Sequence, residues 1–191
     1  MIRLRIRTII MLVCLALGLW QFGQGGYIYA KAVMAQQLIA DAWSETLQTR
    51  QQIKPWPWAD TWPVARLRAP RQGIDLFVLA GDNGSSLAFG PGHRFGTALP
   101  GENGICLISG HRDTHFAFLK QVKPGEEILL QDMHGHWHRY QVDTTRVEDQ
   151  ASPIWQSPEH AVLTLVTCYP FNAVVPGGPL RYVVRATEKS V

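Results

Sequence analysis

Apolar positions change their period along the chain, and each change marks a different kind of element. Residues 9–20 are apolar without interruption, and a weaker stretch through Gln21, Gln24 and three glycines continues to Tyr29. Taken to Tyr29, the run reaches about 20 residues, enough to cross a hydrocarbon core of about 30 Å. Trp20, Tyr27 and Tyr29 suit the interfacial belt of such a span. Residues 30–52 then hold neither glycine nor proline, and Val33, Met34, Leu38, Ala42, Trp43 and Leu47 recur at three- to four-residue spacing. That spacing predicts an amphipathic helix, read as a stalk that lifts a domain off the membrane or packs on it. Pro55, Pro57 and Pro63 stop the helix.

After Pro63 the pattern becomes short apolar or alternating runs split by glycine, proline and polar turns, which signals an all-β domain. Strands are predicted at 64–67, 76–79, 87–89, 104–109, 127–131, 136–143, 161–167 and 181–186. Eight short strands in about 125 residues suit a closed barrel. Asp82-Asn83-Gly84 and Lys123-Pro124-Gly125 carry turn chemistry, and residues 116–120 fit a single helical turn. The long connection is 169–179, with three prolines and Gly177-Gly178, placed as a wall of a groove. The expected organisation is a basic tail and transmembrane anchor at 1–29, a stalk helix at 30–53 and a barrel at 54–191.

Composition and charge narrow the function classes. A formal net charge of +3, with no basic stripe beyond Arg3, Arg5 and Arg7, does not point to nucleic acid. The basic N-terminus ahead of the apolar run keeps that end cytoplasmic and exports everything after Tyr29. An uncleaved anchor is favoured over a signal peptide, because the small-x-small pattern Ala30-Lys31-Ala32 lies far beyond the apolar run. Three cysteines, Cys14, Cys106 and Cys168, allow at most one bridge. Cys106, within Ile105-Cys106-Leu107-Ile108, reads as a buried core thiol rather than a redox partner of Cys168.

Candidate chemistry gathers on three segments. Thr164-Leu165-Val166-Thr167-Cys168 is an apolar run that ends on a thiol, a rigid place for a nucleophile. His111 follows Gly110 past the end of another predicted strand, 57 residues upstream, and Arg181 opens the last strand, 13 residues downstream. Cys168 would attack a carbonyl, His111 would carry the proton, and Arg181 would stabilise the oxyanion or fix the substrate carbonyl. His115 competes with His111 for the proton role, and Arg185 or Arg112 with Arg181 for the charge. Asp113 either orients His111 or caps the turn that follows, with capping favoured. His134, His136 and His138 alternate as metal ligands on a strand would, but they sit at a hairpin turn without a completing cysteine or carboxylate, so no metal is expected.

TLVTC, SGHRD and LRYVVRA together resemble the sortases, whose active-site strand reads TLxTC, whose histidine follows a glycine just past a strand, and whose arginine opens the last strand. The resemblance covers residues 56–187, and KPWPWADTWPVARL, FGPGH, LPGENG and SGHRDTHF look like the sortase group of Gram-negative bacteria. It implies a membrane-anchored eight-stranded β-barrel cysteine transpeptidase on the periplasmic side of the inner membrane. Such an enzyme cleaves a C-terminal LPxTG-like sorting motif of an exported protein and passes the acyl group to an amine. By position the implied catalytic residues are His111, Cys168 and Arg181, with Thr167 and Asp113 as substrate-binding candidates. Calcium-assisted members exist, but no carboxylate site aligns with this chain, so no cofactor is expected. The rival readings are a thiol peptidase that hydrolyses its substrate and a non-catalytic periplasmic binding barrel. The L,D-transpeptidases surround their cysteine with a serine-x-glycine-cysteine pattern, from which TLVTC departs.

Overall fold

The computed structural model describes residues 2–151, 158–175 and 177–189, so Met1, residues 152–157, Pro176, Ser190 and Val191, which fall within the expected segments, lie outside the described residues. The expected span and stalk run as one helix, α1, Ile2–Thr49. It contains an apolar window long enough to cross a membrane. The chain divides into two compact units, Met1–Gln37 and Leu38–Val191.

In the first unit Val33 and Met34 are exposed. In the second, the final turns of α1 bury Ile39, Ala42, Trp43 and Thr46, one stripe at i, i+3, i+4 and i+7. The expected stripe is therefore displaced: Leu38 and Leu47 are only partly buried, and Ile39 and Thr46 face inward. The helix closes at Arg50, which adopts a left-handed conformation and donates its Nη1 to the carbonyl of Met133 at 2.9 Å.

Eight strands follow: β1 (Pro63–Ala69), β2 (Ile74–Ala80), β3 (Gly92–His93), β4 (Gly104–Ser109), β5 (Glu127–Gln131), β6 (Trp137–Asp149), β7 (Ala161–Cys168) and β8 (Leu180–Glu188). They close into a barrel in the order β1-β2-β3-β4-β7-β8-β6-β5. Neighbours are antiparallel except β2 with β3 and β4 with β7. The interior is filled by inward positions of alternating strands, among them Leu67, Val78, Cys106, Ile108, Leu130, Leu163, Leu165 and Val184. A 3-10 turn at Ala117–Gln121 adds Phe118 and Leu119, with Phe116 ahead of it, to the same core.

Two strand expectations are corrected. Residues 87–89 are not a strand: Asn83 accepts a hydrogen bond from the Ser86 amide and caps a short helix, α2, at Gly84–Leu87, and the third strand is the two-residue β3. The sixth strand runs on to Asp149 through a bulge between Val142 and Thr144, where β6 leaves its pairing with β5 and continues along β8.

Candidate active site

The parallel pair β4–β7 decides where the site lies. Parallel strands end on the same side of a sheet, so whatever follows β4 emerges beside whatever ends β7. Ser109 is the register partner of Val166. One residue on, the Gly110 amide donates to the Val166 carbonyl at 3.1 Å, and the Thr167 hydroxyl donates to the Gly110 carbonyl at 2.7 Å. Continuing that register sets His111 level with Cys168. On the other side β8 runs antiparallel to β7, with Arg181 the register partner of Cys168. Cys168 and Arg181 are thus register partners roughly one strand spacing (about 4.8 Å) apart, and His111, two residues past the end of β4, extends the row on the other side of β7.

Side-chain alternation sets the face. Leu163 and Leu165 belong to the core, and Thr167, in phase with them, is 2% exposed. Cys168 is out of phase with these residues and partly exposed, which places its thiol on the outer face of the barrel at one rim. Arg181 is likewise out of phase with the core residues Val184 and Ala186. The hydroxyl of Thr167, a substrate-binding candidate in the sequence, donates to the Gly110 carbonyl and ties the two rim-forming segments together.

Gly110 is required by close approach. A Cβ there would stand 2.7 Å from the Phe116 ring, which is fully buried and has no room to yield. The Phe116 amide closes the turn by donating to the His111 carbonyl at 2.9 Å. His111 is exposed beyond this turn, and His115 is partly buried behind it. The His115 Nδ1 is buried without a partner among the described residues. Burial, then the nearby charge of His111, push the His115 imidazole below its ordinary value, because both disfavour a second positive charge. Asp113 is exposed, and the capping expected of it is absent: Phe116 holds the N-cap position of the turn, with no side-chain cap.

Arg181 directs Nη1 to the carbonyls of Gly178 and Leu180, at 2.7 and 2.9 Å, and Nη2 to the Gln150 Oε1 at 2.7 Å. Its guanidinium therefore rests on the junction of the β7–β8 loop with β8 and on the residue that follows β6. Arg185, the alternative cation, pairs with Thr164, four residues short of Cys168 and so about 13 Å down the strand. Arg112 is 9% exposed and donates Nη2 to the carbonyls of Ala173 and Val175, at 2.9 and 3.2 Å, which takes it out of contention as a free cation. Neither Gln150 nor the burial of Arg112 has a local sequence signal, since both depend on where the loop after β7 lies.

The other thiols and histidines lie elsewhere. Cys106 is buried, and burial followed by the charge of Glu102 raises its thiol far above the ordinary range. His138 sits between Glu188 and Asp132, at 2.8 and 3.2 Å, and His136 is 3.4 Å from Asp132. Among the described residues no group of three or more His, Cys, Asp or Glu side chains is placed to hold a metal ion.

Comparison with known proteins gives a consistent set of similarities. The family described as the Sortase domain matches residues 67–189. The chain is 32% identical over 120 residues to Sortase D of Bacillus subtilis (strain 168), a match covering 62% of this chain and 60% of that protein. Among solved structures, Sortase A from Corynebacterium diphtheriae superposes with a TM-score of 0.62 at 29% identity, covering 70% of this chain and 64% of that one. The Clostridium perfringens Sortase D5 transpeptidase superposes with a TM-score of 0.65 at 21% identity, over 82% of this chain and 96% of that one, a likeness of fold. The chain thus spans less than two thirds of the length of the Bacillus and Corynebacterium relatives.

Proposed function

The chain belongs to the sortase family, and from that membership we propose that it is a membrane-anchored cysteine transpeptidase that cleaves an LPxTG-like sorting motif near the C-terminus of an exported protein and transfers the acyl group to an amine. The observation that supports this most strongly is the row of His111, Cys168 and Arg181 across the β4 end, β7 and β8. In this reading residues 1–29 are the tail and anchor, 30–53 the stalk and 54–191 the catalytic barrel on the periplasmic side of the inner membrane.

Each step uses one member of the row. The Cys168 sulfur attacks the scissile carbonyl carbon as its proton passes to His111, and a tetrahedral oxyanion forms. Arg181 exchanges neutral carbonyl acceptors for this oxyanion, and its cation bonds an anionic oxygen more strongly than a neutral one. The carbon–nitrogen bond breaks as His111 returns the proton to the leaving amine, and a thioester remains on Cys168. An acceptor amine then attacks the thioester carbonyl and gives its proton to His111, the carbon–sulfur bond breaks, and His111 passes that proton to the departing Cys168 sulfur. Hydrolysis would differ only in having water as acceptor.

The test is mass spectrometry of the full chain, in detergent, mixed with a peptide bearing an LPxTG-like segment. An acyl adduct on Cys168 is expected, together with diversion of product to an amide when a primary amine is added. Full processing by Cys168→Ala refutes the mechanism, and indifference to added amine makes the enzyme a peptidase. His111→Ala is expected to lower turnover by about 10²-fold or more, while His115→Ala loses less.

A further inference from the structure

The buried guanidinium of Arg112 is not used by the chemistry above. Taking a charge out of water is unfavourable unless it is well paired and hydrogen-bonded. Yet Arg112 is nine-tenths buried, its two acceptors are both backbone carbonyls, and its Nη1 has no partner among the described residues. Both carbonyls, Ala173 and Val175, belong to the single loop between β7 and β8. A buried charge directed wholly at one loop is a fastening, and the identity of what it fastens gives its purpose.

The loop is tied at its start, its middle and its end. At its start Tyr169 and Phe171 pack against Tyr182, with ring centroids 6.3 and 5.1 Å away. At its end Arg181 holds the Gly178 carbonyl. In the middle the Ala173 amide bonds within the loop to the Pro170 carbonyl, Arg112 reaches in from outside it, and Val174 and Val175 stand 97% and 74% exposed. Valines left this exposed contribute little hydrophobic stabilisation, since that scales with the apolar area buried. They belong to the loop that leaves the cysteine at the end of β7, and the residue that directly follows His111 holds the carbonyls on either side of Val174.

We propose that Arg112 is a positioning residue that fixes residues 173–175 relative to His111, so that Val174 and Val175 form an apolar wall for the acyl-donor peptide at Cys168. The proposal rests on the transpeptidase reading for the identity of the peptide, but the clamp itself does not. Arg112 touches no reacting atom. Its effect passes through the loop, and a guanidinium suits it because the two hydrogens of Nη2 are fixed in the guanidinium plane and meet the two carbonyls, where an ammonium is a freely rotating point charge.

The experiment compares the full chain in detergent with its Arg112→Met and Arg112→Lys variants, using three readouts. The first is elastase cleavage within 173–175, which needs no catalytic activity. Loss of the clamp is expected to speed cleavage by about tenfold in Arg112→Met and less in Arg112→Lys, as local opening becomes easier. The second is alkylation of Cys168 by iodoacetamide, expected to stay within about twofold because a small reagent needs no wall. The third is turnover of an LPxTG-like peptide, where KM is expected to rise about tenfold with kcat within about threefold.

Cleavage of Arg112→Met at the unmodified rate overturns the clamp. A released loop with unchanged KM overturns the wall. Should Arg112→Met fail to fold, Arg112→Lys carries all three readouts, and in the unmodified chain cleavage at Val174 or Val175 as fast as in a denatured control overturns the clamp outright. Failure of every form to process the peptide refutes the transpeptidase reading instead, while the cleavage result still decides the clamp.

Discussion

Thr167→Val tests the part of the site that holds the row together. The hydroxyl of Thr167 donates to the Gly110 carbonyl at 2.7 Å, and both residues are buried. Valine fills nearly the same space but offers no donor, so the carbonyl stays buried without its partner, which costs about 1–3 kcal/mol. For a chain of this size each kcal/mol moves the melting temperature by about 2–4 °C, giving a fall of roughly 2–12 °C. Because Gly110 directly precedes His111, the proposed proton carrier, the same change loosens the spacing between His111 and the Cys168 thiol, and turnover is expected to fall by about tenfold. Thr167→Ser keeps the donor and loses one buried methyl, worth about 0.8 kcal/mol, so it should lose stability yet retain turnover. Urea unfolding in detergent measures the first quantity as a midpoint shift at constant slope, and kcat measures the second. A Thr167→Val chain within about 0.5 kcal/mol of the parent, or a Thr167→Ser chain as slow as Thr167→Val, would refute the argument.

Three further outcomes are expected. Gly110→Ala drives a Cβ to 2.7 Å from the immobile Phe116 ring, so it should destabilise by about 1–3 kcal/mol on denaturant unfolding; parity with the parent would show that the ring can yield. His115, whose folded ionisation lies below the ordinary 6.5, binds a proton more readily when unfolded. Its contribution to stability is therefore complete above pH 6.5 and is lost as pH falls toward its folded value, before Asp75 and Asp132, both lowered from 3.8, begin to matter; unfolding free energies from pH 7.5 downward should slope accordingly, and His115→Phe should flatten that slope. Peptide mapping after iodoacetamide should find Cys168 modified and Cys106 untouched until the chain is unfolded, since burial keeps the Cys106 thiol protonated; early modification of Cys106 would contradict the core placement.

The sequence reading succeeded where one face of an element is buried and failed where that contrast is missing. Strands β4 and β7 are apolar runs bounded by turns, and both lie where the pattern puts them. Strand β3 is a glycine and a histidine, too short to alternate, and the neighbouring Leu87 was drawn into a helical turn by the Asn83 cap. The second half of β6 is mostly exposed on both faces beyond its bulge, so no period of two marks it. On α1 the apolar spacing gave the helix but not its buried side, because Thr46 faces inward although nothing in its composition marks it as core. At the site, residue types pointed to thiol, proton carrier and cation, whereas the burial of Arg112 and the engagement of Thr167 depend on tertiary neighbours far away in sequence.

The spacings that made the site legible are themselves properties of the sheet. Every β4–β7 register pair, from Gly104 with Ala161 to Ser109 with Val166, is separated by 57 residues, the same interval that separates His111 from Cys168. The hydrogen bond from Thr167 to Gly110 carries that interval one step beyond the strand. On the other side, every β7–β8 pair has residue numbers with the same sum, as Cys168 and Arg181 do, which is the rule of an antiparallel register. The interval of 57 has no chemical meaning alone, since residues added to the connection between β4 and β7 would change it and leave the row intact. A single residue lost inside β7 would keep most of the local motif, yet it would turn the Cys168 side chain from the outer face toward the core. What the chemistry requires is therefore register, and motif spacing is informative because, within strands, spacing and register are the same quantity.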